Sequence, residues 1–309
     1  MKGHLLISDW LHTPWALRRE TLATHAQVLA SWLAGKNDPS PFRAMDDEAD
    51  DRPRISAFES RRRESNARVG GGIAVIPVVG TITQRAGMMT EWSGGTSTQQ
   101  ISAALADALA DETISQVLIE FDTPGGSVYG VQELADEIVA GRKKKPIVGI
   151  ANSLSASAGY WLMSQCSECY VTPGGEVGSI GVWQAHEDWS AAMQAAGVKV
   201  TMISAGKYKT EGHPYGPLDE DAKAFLQSRT DDYYAAFTKA VARGRGVPVE
   251  SVRSGMGQGR VLGADAALAE KMVDGVMAPA DLVRQMQRQS KRNYPAARAA
   301  AKNDLLILG

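Results

Sequence analysis

Short apolar runs alternate with stretches of helical period between residues 72 and 150, and this alternation organises the chain. Residues 73–79 (Ile-Ala-Val-Ile-Pro-Val-Val) form one such run and predict a buried strand. Pro77 has no backbone donor, so that strand is expected at a sheet edge or at a bulge. Ser97 with Gln100 three residues on predicts a helix start. That helix should bury Ile101, Leu105 and Leu109 and run to about Ala110. Residues 116–121 read as a second strand, 122–127 as a turn, 128–141 as a helix and 146–150 as a third strand. Such alternation predicts parallel βαβ units, hence an α/β fold. Right-handed crossovers then bring successive strand ends to one edge of the sheet. The turn at 122–127 and the segment after residue 150 should meet there.

The flanks have other rhythms. Leu22, Val28, Leu29, Trp32 and Leu33 recur at helical spacing, so residues 1–35 read as a helical N-terminal extension. Their stripe is expected to be a packing face rather than a membrane anchor. Residues 36–70 carry three prolines, an acidic cluster at 46–51 and the run Arg61, Arg62, Arg63. Dense charge with little apolar surface cannot offset the entropy of ordering, so this is read as a charged linker. The main domain is expected over 71–283, and 219–243 within it reads as mostly helical. Phe225, Tyr233, Tyr234 and Phe237 are its expected packing residues. Residues 284–309 read as an Ala/Arg-rich tail that frays.

Composition narrows the function classes. The chain has 309 residues, is 44% hydrophobic and carries a formal net charge of −2. A large core is therefore available, and the overall charge makes no case for nucleic acid or an anionic membrane. The two cysteines, Cys166 and Cys169, have metal-like spacing but no second pair, so no metal and no cofactor are expected. They read as small, half-buried residues ending a helix. Arg18, Arg19 and Glu20 interrupt the first apolar stretch, and no apolar run reaches about 18 residues. A soluble, intracellular protein without a membrane anchor is expected.

The candidate chemistry lies just past the third strand. Ser-Leu-Ser-Ala-Ser-Ala-Gly-Tyr-Trp at 153–161 places Ser157 among small residues. With a helix beginning near Tyr160, Ser157 would sit at its N-terminus, where free N–H groups favour a developing oxyanion. An ordinary capping serine is the plain alternative. Thr-Pro-Gly-Gly-Ser-Val at 123–128 is a glycine turn whose N–H groups can face outwards, and it lacks the Gly-Lys-Ser/Thr ending of a phosphate loop. A nucleophilic serine needs a proton acceptor, and lysine serves in place of histidine on several folds. A lysine at its ordinary pKa is neutral only to about 0.04% at pH 7, so a base lysine must be desolvated. Lys209 and Lys207 are the candidates, and Gly-x-x-Lys-x-x-x-x-Pro at 206–214 selects Lys209. Ser179, in Gly-Ser-Ile-Gly at 178–181, is either a turn residue or a hydroxyl that orients the amine. His213 lacks an evident carboxylate partner, and Asp122 reads as structural. Met88, Met89 and Trp92 either line a hydrophobic substrate groove or pack between subunits.

With these residues in place the chain resembles the S49 peptidases, the signal peptide peptidase A type. More closely it resembles the phage and prophage minor capsid protease branch (the protein C-like head proteases). The segments that carry the likeness are 73–80, 122–128, 155–161, 178–182, 206–214 and 259–263, within roughly 70–280. The resemblance implies a ClpP/crotonase-like fold of repeated ββα units. It implies Ser157 as nucleophile, Lys209 as general base and Ser179 as the residue orienting that base. The N–H groups of Gly126 and Ala158 would form the oxyanion hole, with Gly125 shaping the turn. Ala158 stands where the family usually has glycine, and its N–H is retained. Relatives assemble into rings, and serine and lysine can come from different subunits, so a homo-oligomer is implied.

The activity implied is that of a serine endopeptidase acting on scaffold, portal or capsid proteins of an assembling phage head in the host cytoplasm. The alternatives are a cytosolic peptidase of cleaved signal peptides and a structural head protein with a vestigial site. Acyl-CoA chemistry on the same fold is a further rival and predicts a CoA pocket.

Overall fold

The computed structural model of the protein describes residues 14–17, 72–86 and 95–293. In chain order, β1 (Trp15–Leu17), β2 (Ile73–Val79), β3 (Ile82–Thr83) and β4 (Thr96–Ser97) lead into α1 (Thr98–Ala110). Next come β5 (Gln116–Thr123), β6 (Gly125–Ser127), α2 (Val131–Gly141), β7 (Ile147–Ala156) and α3 (Ala158–Met163). They are followed by β8 (Glu168–Val171), β9 (Glu176–Gly178), α4 (Ser190–Ala195), α5 (Glu220–Arg245) and α6 (Val249–Ser254). β10 (Val261–Gly263), α7 (Ala264–Ala269), β11 (Gly275–Val276) and α8 (Pro279–Asn293) complete the described chain.

The apolar runs form a seven-stranded sheet whose main path is β10-β9-β7-β5-β2, with β8 paired to β7 and β11 paired to β8. Every pairing within it is parallel except that of β10 with β9. This is the α/β fold with a parallel sheet that the alternation of elements predicts. β2 lies at an edge, where a residue without an N–H, Pro77, is tolerated. A smaller four-stranded sheet runs β1-β6-β3-β4.

Side chains on a strand point alternately to opposite faces, and both faces of the large sheet are covered. On one face Val117, Ile119 and Phe121 of β5 join the main core with Ile101 and Leu105 of α1 and Leu134 and Ile138 of α2. On the other, Leu118, Val148, Ile150 and Tyr170 pack with Leu282 and Met286 of α8. The Ser97–Gln100 capping box starts α1 as the sequence predicts. Asp219 caps α5, accepting from the Ala222 N–H at 2.7 Å.

α3 is the short helix that carries the site, and all six of its residues are buried. The Trp161 ring stacks on Phe237 of α5 with centroids 4.5 Å apart and planes 9° from parallel. The Tyr160 hydroxyl donates to the Met272 carbonyl at 2.9 Å. Gln165 Nε2 donates to the Ala240 carbonyl at 2.9 Å, and Gln165 Oε1 accepts from Arg243 at 3.0 Å. Phe237→Ala should remove the floor under Trp161. A buried Phe-to-Ala change costs about 3–5 kcal/mol, so the thermal midpoint should fall by roughly 10 °C. Unchanged melting by circular dichroism would show that the stack does not hold α3.

Several expectations change. Trp15–Leu17, inside the stretch read as helical, is a strand. Its three residues pair with β6 and Trp15 also bridges to Trp183, which overrides local periodicity. Residues 1–13 and 18–35, the linker at 36–70, and Met88, Met89 and Trp92 lie outside the described residues. The third strand runs on to Ala156 rather than stopping at residue 150. Phe225 is 54% exposed and does not pack against the core, because it lies on the solvent side of α5. Cys166 and Cys169 are fully buried rather than half-buried, and both are free. Burial pushes the Cys169 thiol up to about 12 and the Cys166 thiol well above its ordinary value. Past Val283 the chain continues as α8 to Asn293, anchored by Met286 and by a 2.6 Å hydrogen bond between the Ser290 and Ser115 hydroxyls. Residues 294–309 lie outside the described part.

Candidate active site

Two parallel strands, β5 and β7, end side by side, and their extensions build the site. β5 turns at Pro124 into the Gly125-Gly126 segment of β6. Thr123 fixes that turn by donating to the Gly80 carbonyl at 2.6 Å and accepting from the Gly125 N–H at 3.1 Å. Gly125 has φ of +103°, a backbone that side chains rarely adopt. A Cβ there would overlap the Ala16 carbonyl oxygen and stand 2.8 Å from the Ser157 Cβ. A Cβ at Gly126 would overlap the Ile82 carbonyl. Glycine is required at both positions so that backbone can approach backbone and the serine.

β7 delivers Ser157 directly between strand and helix. Its φ of 54° and ψ of −116° are those of the first central residue of a type II′ turn, a place dominated by glycine. The Ser157 N–H donates to the Gly178 carbonyl at 2.7 Å, and the Ser157 carbonyl accepts from the Trp161 N–H at 2.9 Å. These bonds hold a strained serine in place, and strain of this kind concentrates at functional positions. Ser157 does not cap α3, because its side chain makes no capping hydrogen bond. Its Oγ is buried and has no hydrogen-bond partner among the described residues. A buried unsatisfied hydroxyl costs about 1–3 kcal/mol, so its presence calls for a reason. Ala158 is fully buried and follows directly as the first residue of α3, where N–H groups lack intrahelical acceptors.

Gly178 and Ser179 come alongside through β9, which pairs in parallel with the end of β7. Ser179 also has positive φ, 55°, and its N–H donates to the Arg260 carbonyl at 2.8 Å. Ser157, Gly125, Gly126, Ala158 and Ser179 are thus gathered at one sheet edge. Lys209 is not brought to them. It is exposed in a stretch without helix or strand, and among the described residues neither Ser157 Oγ nor Ser179 holds its amine. His213 is engaged locally: its carbonyl lies 3.1 Å from His186 Nε2, and its Nδ1 accepts from the Tyr215 N–H at 3.1 Å. Asp122 is tied by its backbone to Gly80. Burial, aided by Glu120, raises its carboxyl above the ordinary range.

Beneath the site, Arg245 binds both carboxylate oxygens of Asp274, at 2.9 and 2.7 Å. Asp274 also accepts from the Cys169 N–H at 2.7 Å. Burial pushes the Asp274 carboxyl up, but these hydrogen bonds outweigh it and hold the group below its ordinary value. Among the described residues no cluster of three or more His, Cys, Asp or Glu side chains could hold a metal. None of their helices is long and apolar enough to cross a membrane.

The profile of Peptidase family S49 matches residues 140–293, the stretch that holds Ser157, Ser179 and Lys209. The chain belongs to the S49 peptidase family. Among curated proteins it is 36% identical over 222 residues to capsid assembly protease C of Escherichia phage lambda, covering 70% of this chain and 50% of that protein. It is 33% identical over 250 residues to head-tail preconnector protein GP5 of Enterobacteria phage P21, covering 78% of this chain and 50% of that one. The chain therefore spans half the length of these two curated relatives. Among solved structures it is similar to a point mutant of ClpP1 from Listeria monocytogenes, with a TM-score of 0.43, 14% identity, and cover of 68% of this chain and 94% of that one.

Three contributors to this S49 site escaped sequence reasoning. Thr123 acts through its side-chain hydroxyl, bound to the distant Gly80 carbonyl, and Gly178 through its backbone carbonyl, bound to the distant Ser157 N–H, so neither bond carries a sequence signal. Residues 14–17 reach the site from far away in the chain.

Proposed function

We propose that the protein is a serine endopeptidase in which Ser157 and Lys209 form the catalytic dyad and whose substrates are scaffold, portal or capsid proteins of an assembling phage head. The observation that carries the reading is the buried, strained and unpartnered Ser157 Oγ beside the Gly125-Gly126 turn. Membership of the S49 family and the names of the two phage relatives support the substrate class.

In the proposed mechanism the neutral Lys209 amine takes the Ser157 hydroxyl proton, and Oγ attacks the peptide carbonyl carbon. The Gly126 and Ala158 N–H groups receive the oxyanion. The C–N bond breaks as the lysine returns its proton to the leaving amine. Water, deprotonated in turn by Lys209, then hydrolyses the acyl ester. Ser179 orients the amine.

The dyad is proposed to form between subunits. Lys209 is exposed in the single chain, and Val198, Val200, Met202, Ile203 (95% exposed) and Tyr208 expose apolar surface in the stretch leading to it. A patch of this kind marks a surface that another molecule covers. Covering it with a second copy would desolvate the amine, as a base lysine requires. Incubating the assembled protein with a head scaffold protein, and mapping cleavage by mass spectrometry, tests the reading. Scaffold left intact, with free signal peptides degraded instead, would favour the cytosolic peptidase.

A further inference from the structure

The strand β1 lies where a substrate of Ser157 would lie. It is separated in sequence from β2 by more than fifty residues, yet it sits between β6 and Trp183. On one side it pairs antiparallel with β6: Trp15 with Ser127, Ala16 with Gly126 and Leu17 with Gly125. On the other, Trp15 and Trp183 exchange backbone hydrogen bonds of 3.0 and 3.1 Å, and the Trp183 indole N–H donates to the Leu17 carbonyl at 3.2 Å. Main-chain pairing along the β6 edge is how an extended peptide is bound by strand addition, with little dependence on its sequence, and the bridge to Trp183 adds a hold on the other side.

The register is what ties this strand to the chemistry. The Pro14 carbonyl accepts from the Val128 N–H at 3.2 Å, so positions 14 and 128 form a hydrogen-bonded pair. Such pairs alternate along an antiparallel ladder, which makes Ala16 and Gly126 the next to exchange bonds. The Gly126 N–H, the proposed oxyanion donor, is thereby aimed at the Ala16 carbonyl. That same carbonyl oxygen and the Ser157 Cβ both crowd the place a Cβ would take at Gly125. Trp15, Ala16 and Leu17 are all buried, and Ser157 is sealed with them, only 1% exposed.

We infer that residues 14–17 are a tethered self-peptide occupying the substrate track of Ser157, with the Ala16–Leu17 bond in the scissile position, and that protein substrates gain access only when this strand leaves. The inference rests on the peptidase reading and names how that site is regulated and what it accepts: an extended segment with a small residue against the oxyanion donors. A peptide on the same chain competes intramolecularly, so strand pairing blocks a substrate more strongly than the same peptide would when free.

The test uses the full-length assembled protein, Trp15→Asp and Ala16→Pro. The first removes the buried ring, and the second removes the N–H that bonds to Gly126. Amide hydrogen exchange at Val128 and Trp183 should be slow in the wild type and at least about tenfold faster in both variants, while β5 and β7 stay protected. Labelling of Ser157 by a fluorophosphonate should accelerate by about tenfold or more in the same variants. A synthetic peptide of residues 12–19 added to Trp15→Asp should slow labelling again, and a scrambled peptide should not. Exchange at Val128 and Trp183 unchanged by either variant overturns the occupancy. Faster exchange with an unchanged labelling rate overturns the block. Faster exchange with no labelling of Ser157 in any form defeats the nucleophile assignment itself, and this inference with it.

Discussion

Ser157→Ala is expected to lower cleavage of a scaffold substrate by at least about a thousandfold while leaving the protein as stable as before or more so. Removing the nucleophile of an acyl-transfer enzyme leaves only the contributions of substrate binding and oxyanion donors. The stability half of the expectation is the unusual one. The Ser157 hydroxyl makes no hydrogen bond among the described residues, so its removal breaks none of them. It also relieves the desolvation of a buried polar atom, a gain of up to about 1–3 kcal/mol. The backbone bonds to Gly178 and Trp161 do not involve the side chain and should persist. A structural serine would behave in the opposite way, losing stability and keeping activity. Parallel cleavage assays and thermal melts on the assembled protein decide between them. Scaffold processing within tenfold of wild type would end the assignment of Ser157.

Lys209→Ala is expected to be as inactive as Ser157→Ala, yet mixed assemblies of the two variants should regain up to about a quarter of wild-type activity. Lys209 stands exposed, away from any bond to Ser157 or Ser179, beside apolar side chains that a neighbouring copy would cover. If each site takes its serine from one subunit and its amine from the next, random mixing restores both groups at about one site in four. If each chain uses its own lysine, no mixed site contains both groups and recovery is nil. Co-refolding the variants in equal amounts and assaying scaffold cleavage distinguishes these outcomes. Zero recovery in assemblies shown by native mass spectrometry to be mixed would place the amine on its own chain.

The sequence determined much of the scaffold. Apolar runs of strand length separated by helical stretches forced a parallel α/β sheet, and the Ser97–Gln100 pair marked the start of α1 to the residue. These signals are local: they depend on side-chain periodicity and on hydrogen bonds spanning a few residues. The small residues around 123–128 and 153–161 pointed to the edge where the site forms, since glycine is needed wherever backbone must approach backbone. The S49 family likewise was legible from the order of these motifs.

Other features were decided only by tertiary structure, because they depend on contacts between residues far apart in the chain. Ser157 could have been a cap; the left-handed backbone fixed by the Gly178 carbonyl made it an unpartnered hydroxyl. Phe225 shares the aromatic character of Phe237, yet one faces solvent and the other lies beneath Trp161, a difference set by which side of α5 meets the core. Residues 14–17 show no strand alternation of their own and become a strand because β6 offers a backbone ladder and Trp183 bridges Trp15 from the other side. A peptide held by backbone hydrogen bonds leaves almost no trace in side-chain pattern.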